Sequence, residues 1–219
     1  VSPDNLDKVI QISEEHDSVF TTQGIHPHEA KTYSSEIDEK IRRQAMHSKV
    51  LAIGEIGLDY HYDFSPKEKQ KDAFKRQLDI ACELNLPIVI HTREAEEDTI
   101  KVLEPYINDL HRKGVFHSFT SQAFLAEQAL AWDFFIGFNG IITFKNAENV
   151  REIVDLTPLS RILLETDSPY LAPVPHRGKE NTPAFLPLVA EKVAEIKKTD
   201  VQEIDQISTA NCRQLFNLS

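Results

Sequence analysis

Six short apolar runs, each followed by a longer stretch of helical periodicity, set the tightest limit on what this chain can fold into. The runs are Val19–Ile25, Val50–Ile53, Ile88–Ile90, Gly114–His117, Phe134–Phe138 and Ile162–Leu164. Such alternation is the signature of βα units and a parallel sheet. A closed (β/α) barrel needs eight strands. An open doubly wound sheet can stop at six, but it gathers its ligand at one switch point. Here polar residues with chemical potential stand at the ends of most runs, which favours the barrel. The count of six then means either that two strands escape this reading or that two further strands are expected before Val1.

The intervening segments read as helices at Ser34–His47, Ser65–Leu84, Glu94–Leu110, Ser121–Ala131 and Asn146–Asp155, with Pro183–Lys197 and Val201–Leu215 closing the chain. Asp4–Glu15 opens it as another. Ser65–Leu84 carries the clearest start signal: Ser65 as cap, Pro66 at the first helical position and Glu68 completing a capping box. No repeat, low-complexity tract or linker divides residues 1–219, so a single domain is expected.

The net charge of −11 argues against a broad nucleic-acid footprint. It leaves room for an enzyme that meets phosphate through a metal centre. Two cysteines, Cys82 and Cys212, lie far apart and outside any motif, which fits a reducing, cytoplasmic setting and structural roles. No apolar run approaches the roughly 20 residues of a membrane span.

Four residues share one situation. Glu55 follows "VLAIG", His91 follows "PIVI", His117 follows "GVF" and Asp167 follows "ILLET". Each is expected at the C-terminal end of an apolar strand, where parallel α/β folds collect their chemistry. Burying unpaired charges and imidazoles costs several kcal/mol, so four in register call for a common partner. A divalent cation is that partner. Two imidazoles and two carboxylates suit zinc, manganese or iron better than magnesium. Gly54 and Gly57, on either side of Glu55, offer no Cβ to block close approach of backbone or metal.

Other residues are candidates for substrate contacts. "QGIHPHEA" puts His26 and His28 on a short loop stiffened by Pro27, with His26 facing the site mouth. In "ETDSPYLAPVPHRGKENTP", Arg177 beside Gly178 is the best candidate for a forked phosphate contact, with pairing to a neighbouring carboxylate that shapes the loop as the alternative. Asp59 is placed to orient a ligand from behind, and His61 is expected at the surface.

The stretches "GIHPHEA", "IGEIGLDYHYDFSPKEKQKDAFKRQLDIACELNLPIVIHTREA", "FHSFTS", "IGFNGIITFKNA", "LLETDSPYLAPVPHRGKENTP" and "NCRQLF" together resemble the TatD-type deoxyribonucleases of the amidohydrolase superfamily. The resemblance runs from about Thr21 to the C-terminus. It implies a TIM-type (β/α) barrel, two divalent metal ions and hydrolysis of phosphodiester bonds in DNA, often as a 3′→5′ exonuclease. It assigns metal ligation to Glu55, His91, His117 and Asp167. In it Glu55 bridges the two ions and Asp167 takes a proton from the attacking water. The family's opening strand ends in a His-x-His pair that ligates the first ion. No such strand is present here, which matches the two strands expected before Val1. Two other readings remain open: a hydrolase of an amide or ester on the same scaffold, and a protein with a partial, inactive metal site. DNA or RNA is the expected partner, and the chain is expected to act as a monomer.

Overall fold

The computed structural model describes residues 2–218. It divides into two compact units, Val1–Gly114 and Val115–Ser219. Six strands and eight α-helices lie among the described residues.

The first unit opens with a 3-10 turn, Pro3–Asn5, running into α1 (Leu6–Glu14). Strand β1 covers only Thr21–Gln23, shorter than Val19–Ile25. The reason is physical: Val19 and Phe20 are exposed, and the Ile25 backbone is bonded to a side chain, Gln77, in place of a neighbouring strand. After a 3-10 segment (Pro27–Thr32) comes α2 (Ser35–Ala45), capped by Ser34, whose Oγ accepts the Ile37 N–H. Then follow β2 (Val50–Asp59), α3 (Lys67–Leu84), β3 (Ile88–Arg93) and α4 (Glu96–Leu103). The strands pair in parallel, β1 with β2 and β2 with β3.

Strand β2 corrects the sequence reading. It does not end at Ile53 but runs ten residues to Asp59, buried along most of its length. Its register with β3 slips between Gly54 and Ile56, so Glu55 is the extra residue of a bulge. A bulge re-aims a side chain without ending the ladder. The space that Gly54 and Gly57 leave open is filled by β3. A Cβ on Gly54 would fall 2.6 Å from the Val89 Cβ, and one on Gly57 only 2.0 Å from the His91 carbonyl oxygen. Gly57 also has φ of +136°, a conformation that side chains with a Cβ rarely adopt.

Helix α3 packs Ala73, Phe74, Leu78 and Ala81 into the core and ends at Asn85 in the left-handed conformation, where the Leu86 N–H reaches back to the Ala81 carbonyl. The expected capping box is absent. Ser65 Oγ instead donates to the His28 carbonyl at 2.7 Å and accepts the Lys31 N–H, while Glu68 pairs with Lys71. Helix α4 stops short of Leu110 because Pro105 turns the chain into a 3-10 segment, Glu104–Tyr106.

The second unit carries most of β4 (Gly114–Phe116), then α5 (Ala123–Ala131), β5 (Phe135–Phe138), α6 (Glu148–Leu156), β6 (Ile162–Leu164), α7 (Leu186–Lys197) and α8 (Val201–Phe216). Here β4 pairs in parallel with β5, and β5 with β6. Phe116, Phe134 and Phe138 are fully buried, with Phe116 and Phe134 edge to face at 5.4 Å. Buried Asn211 on α8 donates to the carbonyls of Leu159 and Ile162 and so fastens the entry to β6. No helix among the described residues is long and apolar enough to cross a membrane.

Candidate metal centre

In the first unit, the β2 bulge aims Glu55 at two imidazoles. His91, on β3, sets Nδ1 at 2.9 Å from Glu55 Oε1. His26, just before the Pro27 turn, sets Nε2 at 3.5 Å from the same oxygen. His26 Nδ1 accepts the His28 backbone N–H, which leaves Nε2 facing the carboxylate. One donor atom from each of His26, Glu55 and His91 lies within 4.8 Å of the other two. Two imidazole nitrogens and one carboxylate oxygen, half-buried and convergent, form a donor set suited to zinc, manganese or iron.

Asp59 supports this group from beneath. Its side chain is buried, and Oδ2 lies 2.9 Å from both His91 Nε2 and His28 Nε2. Its Oδ1 accepts the backbone N–H groups of His61 and Tyr62. Burial alone would push the Asp59 carboxyl up, but hydrogen bonds from His91 and His28 outweigh it and hold the group far below the usual carboxylate range. Burial pulls the His91 imidazole down, and its bonds to Asp59 and Glu55 more than reverse this, so its pKa rises. For His26, burial prevails over the pull of Glu55 and the pKa falls, keeping the ring neutral and able to donate a lone pair at neutral pH.

Helix α3 holds the strands that carry these groups. Gln70 and Gln77, two turns apart on its buried face, each clamp a backbone. Gln77 accepts the Ile25 N–H at 2.7 Å and donates to the Ile25 carbonyl, next to His26. Gln70 accepts the Asp59 N–H at 2.8 Å and donates to the carbonyls of Asp59 and Ser65. The sequence reading missed both. The available signal was two glutamines at spacing seven, flanking Phe74 on an otherwise apolar face.

In the second unit, His117 follows β4 and Asp167 follows β6. His117 Nδ1 is 2.8 Å from Glu165 Oε2, and its Nε2 is 3.5 Å from Asp167 Oδ1. The Ser118 backbone N–H also donates to Glu165. Glu165 is a site residue the sequence reading left unassigned at the end of "ILLET". Asp167 adopts φ of +57°, in the left-handed region that aspartate tolerates better than most residues. Buried Asn181 fixes the loop beyond it by donating to the carbonyls of Thr166 and Tyr170.

Of the expected substrate contacts, His26 joins the donor cluster and His28 points Nε2 at Asp59. Arg177 lays its guanidinium 3.6 Å over the Phe144 ring and donates to the Ala172 carbonyl. Its guanidinium is thus held by a ring and a backbone carbonyl. His61 pairs with Glu94 at the surface. Cys82 and Cys212 are free thiols whose pKa values burial raises.

The family model described as TatD related DNase matches residues 1–217. Among curated relatives, the chain is 40% identical over 214 residues to the uncharacterized metal-dependent hydrolase YabD of Bacillus subtilis, spanning 98% of this chain and 84% of that protein. It is 38% identical over 217 residues to the 3′-5′ ssDNA/RNA exonuclease TatD of Erwinia tasmaniensis, spanning 96% and 83%. Among solved structures, YJJV, a TatD homologue from Escherichia coli, superposes with a TM-score of 0.93 at 28% identity, covering all of this chain and 85% of that one.

Proposed function

The chain belongs to the TatD-related DNase family of metal-dependent hydrolases, and from that premise we propose that it hydrolyses phosphodiester bonds of single-stranded DNA, working inward from the 3′ end. The observation that carries this reading is the convergence of His26, Glu55 and His91 donors within 4.8 Å.

In this reading the protein holds two divalent cations, zinc, manganese, iron or magnesium. Glu55, His91, His117 and Asp167 serve as ligands, and His26 supplies a further donor beside Glu55. The chemistry contributed by such cations is Lewis acidity, which acidifies water and neutralises phosphate charge. Glu55 keeps its carboxylate aimed at the cluster because the bulge leaves it out of the ladder. Asp59 fixes the ring of His91, and Glu165 fixes that of His117, so neither imidazole spends rotamer entropy on binding. Asp167 accepts the proton of the attacking water. Arg177 is the candidate contact to a non-bridging phosphate oxygen through the N–H groups that Ala172 does not use.

The test is the choice of bond. The protein, supplied with manganese or zinc, is offered a labelled single-stranded oligonucleotide and, separately, a panel of small esters, lactones and amides. Progressive release of mononucleotides from the 3′ end, with no turnover of the panel, is the expected result. Turnover of the panel without nucleotide release would transfer the site to amide or ester chemistry.

A further inference from the structure

Beside the first-unit cluster lies a pair of aromatic rings that the proposed chemistry does not use. Tyr62 and Phe64 are 43% and 52% exposed. Their rings stack on each other at 5.2 Å with an interplanar angle of 28°. Single exposed aromatics are ordinary, but a contiguous exposed pair marks a surface that something covers. The Arg93 guanidinium lies over the Tyr62 ring, 5.1 Å from its centre, which places a cation on one face of that ring.

The pair is tied to the cluster. His28 sets its ring edge-on to Phe64 at 4.8 Å and to Tyr62 at 5.5 Å. On its other side, the His28 ring lies 4.3 Å from that of His26. The Tyr62 N–H is bonded to Oδ1 of Asp59, whose Oδ2 meets His28 and His91. One buried carboxylate therefore sets the positions of the donor His91 and of the segment that carries the rings. The pair is preorganised next to the cluster, with one imidazole between them.

We propose that Phe64, backed by the stacked Tyr62 ring over which Arg93 lies, forms a stacking platform for a nucleobase of a single strand whose phosphate lies at the His26–Glu55–His91 cluster; this rests on the nuclease reading above. A flat, exposed ring pair accepts any base, because every base offers a π-face, and a neighbouring cation meets the backbone charge. A platform of this kind makes no use of base edges, so it selects unstacked strands without selecting sequence. Duplex DNA keeps its bases stacked on one another and gains nothing from it.

The test uses the full chain and the double variant Tyr62→Ala/Phe64→Ala. The probes are an oligothymidine with 2-aminopurine as its 3′-terminal base, and the same strand with abasic residues at its 3′ end. Both altered side chains are exposed, and circular dichroism verifies the fold. With manganese present, the variant should raise KM for the base-bearing strand about tenfold or more, leave kcat within about twofold, and leave the abasic strand unaffected. Tyr62→Phe/Phe64→Tyr should restore wild-type KM. In EDTA, the wild type should quench 2-aminopurine fluorescence on binding and the alanine variant should not. An unchanged KM for the base-bearing strand, or an equal rise for both strands, would overturn the platform while leaving the nuclease reading in place. If the wild type cleaves neither strand, the nuclease reading fails, and the fluorescence decides the platform alone: quenching lost in the alanine variant supports it, and no quenching by the wild type overturns it.

Discussion

Replacing Gly137 with alanine should weaken metal binding through His117 while leaving the fold nearly intact. A Cβ at Gly137 would fall 2.7 Å from Cδ and Oε2 of Glu165 and 2.8 Å from Oε1. Ordinary carbon contacts begin near about 3.5 Å, so the carboxylate must retreat by roughly 0.8 Å. The bond from His117 Nδ1, now 2.8 Å, would stretch to about 3.6 Å and cease to be a hydrogen bond. The bond from the Ser118 N–H would be lost with it. Because the Glu165 side chain is 20% exposed, it can swing towards water and spare the backbone. Hydrogen bonds to charged groups are worth about 1.5–3 kcal/mol, less when solvent competes. Alanine recovers about 0.4–1 kcal/mol by restricting the unfolded chain. The net loss of stability should be only about 1–2 kcal/mol, or a few degrees in Tm for a chain of this size. Losing the outer partner of a ligating histidine typically costs 10–100-fold in metal affinity. Calorimetric titration of zinc into metal-free protein, paired with thermal unfolding, separates the two effects. Zinc affinity lower by about tenfold or more beside a nearly unchanged Tm is the expected result, with Glu165→Gln in between. Wild-type zinc affinity in Gly137→Ala would refute the role given to Glu165.

Three further outcomes follow from the same geometry. Gln77→Leu leaves both polar groups of the Ile25 backbone buried without their present partner, so denaturant unfolding should show a loss of about 2–4 kcal/mol and activity should fall as His26 shifts; a loss below about 0.5 kcal/mol would contradict the clamp. Asp167→Asn should abolish nucleotide release from a 3′-labelled strand while Tm stays within a few degrees, and full activity would remove Asp167 from the mechanism. In metal-free protein, Asp59 has a folded pKa depressed below 3.8, so its contribution is full above that pH and lost as pH falls through the folded value. His91 has a folded pKa raised above 6.5, so its contribution is full below that pH and lost as pH rises through the folded value. The Tm difference between wild type and Asp59→Asn in EDTA should therefore be greatest between pH 3.8 and 6.5 and shrink towards alkaline pH; a difference that grows steadily above neutrality would contradict the network.

The six strands and the polar residues near their ends were legible because short apolar runs bounded by turn residues are local signals. The true extent of β2 was not. Gly54 and Gly57 look like breaks in the chain text, but they are required by the close approach of Val89 and His91 on β3, a contact across more than 30 residues. Ser65 looked like a cap because its neighbours fit the pattern, yet the His28 carbonyl and the Lys31 N–H engage its hydroxyl from a loop 34–37 residues away. Glu165 was hidden for the opposite reason: it directly continues an apolar run, and only the cleared space at Gly137 shows why a carboxylate fits there. Arg177 could be assigned either to phosphate or to its loop from sequence. Its stacking on Phe144, 33 positions earlier, is tertiary information. In each case the missing element was a long-range partner, not a misjudged local propensity.

The central claim is that convergent histidine and carboxylate donors make this chain a metal-dependent phosphodiesterase. The most direct test strips the protein with chelator and follows nucleotide release from a 3′-labelled single strand as manganese or zinc is returned. The account predicts no release in chelator, a rise with added metal that saturates near two equivalents, and no recovery in Glu55→Gln at the same loading. Release that persists in chelator, or Glu55→Gln activity equal to wild type, would contradict it.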